Sequence, residues 1–172
     1  MADIFISYIH EEERAAKAVQ GFLKTKFENQ QKAFLSGDHW QIFAGEVWLD
    51  RIRDELNSSK VVLLMLSTKS VKRPWVNFEA GAAWLTNKAV IPVCFGGLRK
   101  DRLPKPYSGM QALDLFEEAG YLLQSVAHHL SLLGGPVPTD ETTDRAFKVL
   151  RDALSSVSHT GKQKDKNKKI GW

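Results

Sequence analysis

Glu79 stands four residues after Trp75, a spacing that puts a carboxylate and an indole on one face of a helix. The run around them, Phe78 and then Ala80-Gly81-Ala82-Ala83-Trp84, is otherwise apolar. An acid held in such surroundings has a perturbed acidity and is a candidate for work on a substrate. The plainer alternative is an exposed glutamate in a good helix-forming position. The indole would either wall a ligand away from water or pack at the rim of the core. Ser7 and Tyr8 offer hydroxyls that bind phosphate or ribose, the preferred reading, or cap the helix that follows. Trp40 and Phe43 sit on a loop, where they stack on a nucleotide or pack against a neighbouring subunit.

Other chemistries lack their residues. No Gly-x-Gly-x-x-Gly follows the first strand, and there is no Walker loop and no Gly-x-Ser-x-Gly elbow. A phospho-acceptor receiver would want an aspartate after the third strand, where Ser67 stands. Cys94 lies between Val93 and Phe95 and reads as a buried, inert thiol. His128 and His129 are adjacent on a helix, point apart and cannot chelate as an i, i+4 pair would; no metal site is expected.

Short apolar runs alternating with amphipathic stretches must position these groups. Ile4-Phe5-Ile6, Ala33-Phe34-Leu35, Val61 to Leu66 and Val90 to Phe95 read as strands, and Gln111 to Leu115 as a short fifth strand at the sheet edge. Val61 to Leu66 is apolar throughout, as a strand covered on both faces should be. Pro92 argues against a fully hydrogen-bonded central place for the fourth strand. Helices are expected over 11–28, after Gly45 with Trp48, Ile52 and Leu56 on one face and Trp48 in the core, from Pro74 to about Leu85, over 117–133, and through Ala146, Val149, Leu150, Ala153 and Leu154. Residues 96 to 110 read as loop. Strands alternating with helices predict an α/β fold, a flavodoxin-like three-layer sandwich: a five-stranded parallel sheet with helices on both faces. Ligands of such sheets bind beyond the carboxyl ends of the strands, near the loops after strands one and three.

The chain has 172 residues, 43% hydrophobic and 26% charged, which suits one globular domain with its own core. One cysteine allows no intrachain disulfide. No apolar run approaches membrane-spanning length, and Met1-Ala2-Asp3 does not open like a signal peptide, so a cytoplasmic protein is expected. The net charge of +4 comes from residues 158 to 172, with Lys162, Lys164, Lys166, Lys168 and Lys169 against Asp165. The division is therefore a neutral domain over 1–157 and a basic tail over 158–172, expected to be disordered. The folded body carries no basic surplus, so nucleic acid is not an expected partner.

The order of these features resembles a TIR (Toll/interleukin-1 receptor) domain, especially the bacterial members. Asp3-Ile4-Phe5-Ile6-Ser7-Tyr8 with His10 close behind looks like the first strand of that family. Gly45-x-x-Trp48-x-x-x-Ile52-x-x-x-Leu56-x-x-Ser59 looks like its second helix, and Ile91-Pro92-Val93 is familiar there too. Pro74-Trp75-Val76-Asn77-Phe78-Glu79 resembles its Trp-x-x-x-Glu helix. The stretch from Lys32 to Ala44, whose loop gates the site in the family, matches less clearly.

Many TIR domains cleave NAD+ at the nicotinamide–ribose bond; others are scaffolds. The resemblance implies NAD+ as substrate with no separate cofactor, Glu79 as the catalytic residue, and Ser7, Tyr8, His10, Phe43 and Trp75 as its contacts. It also implies immune or antiphage signalling, self-association through TIR–TIR contacts, and a separate sensor or effector. The nicotinamide leaves as a neutral molecule, so no general acid is required. One carboxylate suffices to hold the ribose hydroxyls and stabilise an oxocarbenium-like transition state. The competing expectations are a non-catalytic scaffold and a nucleoside-transferring enzyme of similar fold.

Overall fold

A computed structural model of the chain describes residues 2–28, 30–36, 48–131 and 148. Strand β1 spans Ile4–Ser7, followed by a 3-10 turn over His10–Glu12 and helix α1 over Glu13–Lys26. Then come β2 (Ala33–Leu35), α2 (Trp48–Ser58), β3 (Val61–Leu66), α3 (Pro74–Leu85), β4 (Ala89–Cys94), β5 (Leu113–Asp114) and α4 (Ala119–His129). The five strands form one sheet in the order β2-β1-β3-β4-β5, every pair parallel. The predicted flavodoxin-like α/β sandwich is the observed fold.

Period-two alternation divides the core between the two faces of this sheet. Ile4 and Ile6 of β1 and Leu63 and Met65 of β3 pack with Val19 and Leu23 of α1 and Leu122 and Val126 of α4. Phe5, Leu64 and Leu66 pack instead with Ile52 and Leu56 of α2 and with Val76, Ala80 and Ala83 of α3. Every residue of β3 is fully buried, as its unbroken apolar run required. Each of its larger side chains contributes about 1.5–3 kcal/mol by leaving water.

β4 lies inside the sheet, between β3 and β5, with Pro92 opposite Leu64, and as Pro92 implied it is not hydrogen-bonded along its whole length on both sides. At the two ends of β4, Ala89 and Phe95 donate their N–H groups to Lys60 and Leu66 on the β3 side. Alternation turns the N–H position of Pro92 the other way, toward β5. β5 pairs only from Val93 onward, so the missing donor falls where no ladder bond is needed.

The stretch 96–110 is more ordered than a plain loop. It holds 3-10 turns at Lys100–Arg102 and Tyr107–Gly109, and buried Tyr107 donates its hydroxyl to Asn77 Oδ1 at 2.5 Å. The expected last helix is outside the described residues except for Lys148, and the basic tail is outside them altogether.

Candidate functional site

α3 starts with Pro74 in its first turn, where a missing N–H costs no helical bond. It runs from the carboxyl end of β3 and lays Val76, Glu79, Ala80 and Ala83 against the sheet. Ala80 and Ala83 are small, so the helix approaches closely. That approach carries Glu79 fully inside, at 0% exposure.

The carboxylate accepts from neutral donors on two elements, α3 and β1. Trp75, one turn earlier on α3, donates its indole N–H to Oε1 at 2.8 Å. Ser7, the last residue of β1, donates its hydroxyl to Oε2 in a short hydrogen bond. Ser36, just past β2, adds a smaller pull toward the ionised form; its backbone N–H is tied to Ile6 O at 3.0 Å, and its hydroxyl accepts the Tyr8 N–H at 3.4 Å. Burial pushes the Glu79 pKa up to about 7, against the opposing pull of the Ser7, Trp75 and Ser36 hydrogen bonds. The result is a desolvated carboxyl poised between its two protonation states at neutral pH.

Trp75 forms the outer wall. Its ring stacks on Phe78 with centroids 5.3 Å apart, and Phe78 is 60% exposed. The site therefore lies near the surface, beyond the carboxyl ends of β1 and β2, where a doubly wound sheet takes its ligands.

The structure brings three sequence-predicted groups together: Glu79, Trp75 and Ser7. It separates Tyr8 from them. Ser7 faces α3, so alternation turns Tyr8 to the other side of the sheet, where its ring is buried with Ile4 and Ile6. Tyr8 touches this site through its backbone N–H. His10 opens the 3-10 turn with an exposed side chain. Phe43 and Trp40 lie outside the described residues, as does the side chain of Trp48.

Ser36 is the residue that sequence reasoning missed. In Ser36-Gly37-Asp38 it reads as a turn former, and the available signal was its place at the carboxyl end of a strand beside β1.

Cys94 is buried, and its thiol is raised to about 12 by burial and by the neighbouring Asp114 carboxylate, which makes it a poor nucleophile. Among the described residues no group of three or more His, Cys, Asp or Glu side chains could hold a metal ion. None of the described helices is long and apolar enough to cross a membrane. A groove of about 300 Å³ lies on another flank of α3, lined by Asn77, Gly81, Trp84, Tyr107 and Met110. It is mostly apolar and does not include Glu79.

Comparison with known proteins gives a consistent picture. A sequence model of the TIR domain family matches residues 4–129. The stimulator of interferon genes protein of Magallana gigas is 30% identical over 79 residues, covering 43% of this chain and 19% of that protein. The chain thus spans about a fifth of that relative's length. Among solved structures, a metazoan TIR-STING receptor from C. gigas superposes with a TM-score of 0.52 at 21% identity, covering 79% of this chain and 41% of that one. The TIR domain of the Toll-related receptor TRR-2 from Hydra magnipapillata superposes with a TM-score of 0.58 at 13% identity, covering 76% and 99% respectively. These two likenesses establish the fold.

Proposed function

The chain belongs to the TIR domain family, and on that premise we propose that it cleaves the nicotinamide–ribose bond of NAD+. The products are nicotinamide and either ADP-ribose, when water attacks the ribose carbon, or a cyclic isomer, when a group of the same nucleotide attacks it. NAD+ is then the substrate, and no separate cofactor is needed.

The observation that carries this reading is the environment of Glu79. It is a fully buried carboxylate, satisfied by Ser7 and Trp75, at the ligand-binding end of the sheet. In its ionised form it stabilises the positive charge that develops on the ribose as nicotinamide departs. Ribose hydroxyls would take over from Ser7 or Trp75 as donors to its oxygens. Trp75, stacked on Phe78, would cover the sugar and exclude water from one side. Phe43 and His10, as further contacts with the nucleotide, belong to this proposal.

The Pro74-to-Trp84 helix resembles the bacterial form of the family motif, whereas the relatives described above come from Magallana gigas and Hydra magnipapillata. A stimulator of interferon genes protein and a Toll-related receptor accord with immune signalling as the setting. Antiphage defence, a cytoplasmic location, activation by self-assembly and a trigger from a separate sensor are the remaining parts of the proposal.

A second reading is a scaffold that acts through TIR–TIR contacts alone. It is favoured by the exposure of Phe78, Trp84 and Leu85 on α3, at 60%, 67% and 78%. Turnover of a fluorescent NAD+ analogue by the wild type and by Glu79→Ala separates the two. Cleavage that disappears in the variant supports the enzyme. No cleavage by either, at concentrations that permit assembly, leaves the scaffold, and equal cleavage by both overturns the role of Glu79.

A further inference from the structure

Glu12 is 5% exposed and takes no part in the chemistry proposed above. It ends the 3-10 turn that follows β1 and reaches across to the loop between β3 and α3. Ser67 Oγ accepts the N–H groups of Lys69 at 3.0 Å and Ser70 at 3.1 Å, so its own proton is directed to Glu12 Oε1 in a short hydrogen bond. Ser70 Oγ accepts the Ser67 N–H at 2.7 Å and donates to Met65 O at 3.0 Å. At the far end of the same loop, Arg73 Nη2 donates to Glu11 Oε1 at 2.7 Å. Two consecutive glutamates thus hold both ends of residues 67–73, and α3 begins at the next residue, Pro74.

The other oxygen of Glu12, Oε2, is buried with no hydrogen-bond partner among the described residues. A buried polar atom left so is unfavourable in itself, which makes stability alone a poor reason for an acid here. The segment 7–12 grips α3 twice. Ser7 holds the Glu79 side chain, and Glu12 holds the loop that sets where the helix begins.

We propose that Glu12 is a positioning residue: through Ser67 it fixes the 67–73 loop, and with it the placement of α3 that brings Trp75 and Glu79 against Ser7. The proposal rests on the reading of Glu79 as catalytic, but its structural half is measurable without turnover.

The test combines NAD+ kinetics per folded molecule with hydrogen exchange on Glu12→Ala, Glu12→Gln, Ser67→Ala and the double variant Glu12→Ala/Ser67→Ala. Glu12→Ala should lower kcat roughly tenfold and leave KM within about twofold, because Glu12 touches no substrate. The amides of Lys69, Ser70, Val71 and Arg73 should exchange at least roughly tenfold faster, while those of Leu115 and Leu122 stay within about twofold. Glu12→Gln retains an acceptor for Ser67 and should restore both readouts to within about threefold of wild type. Ser67→Ala also removes the acceptor of the Lys69 and Ser70 N–H groups, so it should be at least as severe as Glu12→Ala, and the double variant should be no worse than Ser67→Ala alone.

Unchanged kcat per folded Glu12→Ala molecule, or unchanged exchange over 69–73, would overturn the proposal. If Glu12→Ala does not fold, Ser67→Ala and Glu12→Gln decide it by the same readouts. Wild-type protein with no turnover would overturn the proposed function instead, and exchange alone would then decide the tether.

Discussion

At neutral pH the Glu79 carboxyl sits near its midpoint, because burial raises its pKa to about 7 while Ser7, Trp75 and Ser36 pull it down. The ionised form is the one that stabilises a cationic transition state, so kcat/KM for NAD+ cleavage, which reports the free protein, should rise with pH through about 7 and then level off. Trp75→Phe removes one donor to the ionised form, so the midpoint of that rise should move upward; a midpoint unchanged or lowered would contradict the assigned role of the indole. The same shift has a stability consequence of fixed sign. The folded pKa lies above the ordinary 4.5, so the folded state holds more proton than the unfolded chain between those values. Stability is therefore lost as pH rises from about 4.5 to about 7, on the order of 3 kcal/mol in all. Glu79→Gln should melt higher than wild type at pH 8 while losing turnover, since the amide still accepts from Trp75 and the Ser7 hydroxyl can turn to accept from it. Thermal melts at pH 5 and pH 8 check this, and the gain should be present only at the higher pH. Much of this residue-level picture was legible in the sequence. The spacing of Trp75 and Glu79 fixes a shared helix face, and Ser7 ends an apolar strand. Ser36 and Glu12 were not legible, because a serine before glycine reads as a turn and a glutamate before a helix reads as solvated; only the pairing of β1 with its neighbours shows them buried.

At the scale of elements, β3 and α3 form the platform, and the turn after β4 presses against it. Gly96 has φ +58°, and a Cβ there would lie 3.2 Å from the Ser67 Cβ, close enough that one of the two must shift by a few tenths of an ångström. Gly96→Ala should cost about 1–2 kcal/mol from the left-handed backbone alone and more from the contact. A lowered melting temperature with reduced kcat measures it; unchanged stability would mean that the turn relaxes away from Ser67. The strands and helices themselves followed from periodicity and length: a six-residue apolar run rich in Val and Leu, such as Val61 to Leu66, is short for a helix and suits a strand covered on both faces. Pro92 pointed to incomplete hydrogen bonding but not to where the gap falls, because the two-residue length of β5 is a tertiary fact. Tyr8 misled: adjacent hydroxyls look alike in sequence, but a strand sends them to opposite faces.

For the whole molecule, the charge arithmetic and the site agree. A positive excess confined to residues 158–172 leaves the rest of the chain neutral, which suits the proposed local recognition of a small anionic nucleotide better than a long polyanion held over a charged face. Deleting residues 158–172 should therefore leave NAD+ turnover within about twofold of the full chain and remove the salt-dependent retention on a polyanion matrix that the tail confers. A tenfold loss of turnover would show that the tail serves the site. The central claim is that a TIR fold places one buried glutamate to break an N-glycosidic bond. Mass spectrometry of NAD+ incubated with the wild type and with Glu79→Gln, at concentrations that permit assembly, tests it most directly. The account predicts nicotinamide and ADP-ribose, or its cyclic isomer, in equal amounts from the wild type, and at least about a hundredfold less from the variant. Intact NAD+ in both reactions, or the same products at the same rate from both, would contradict it.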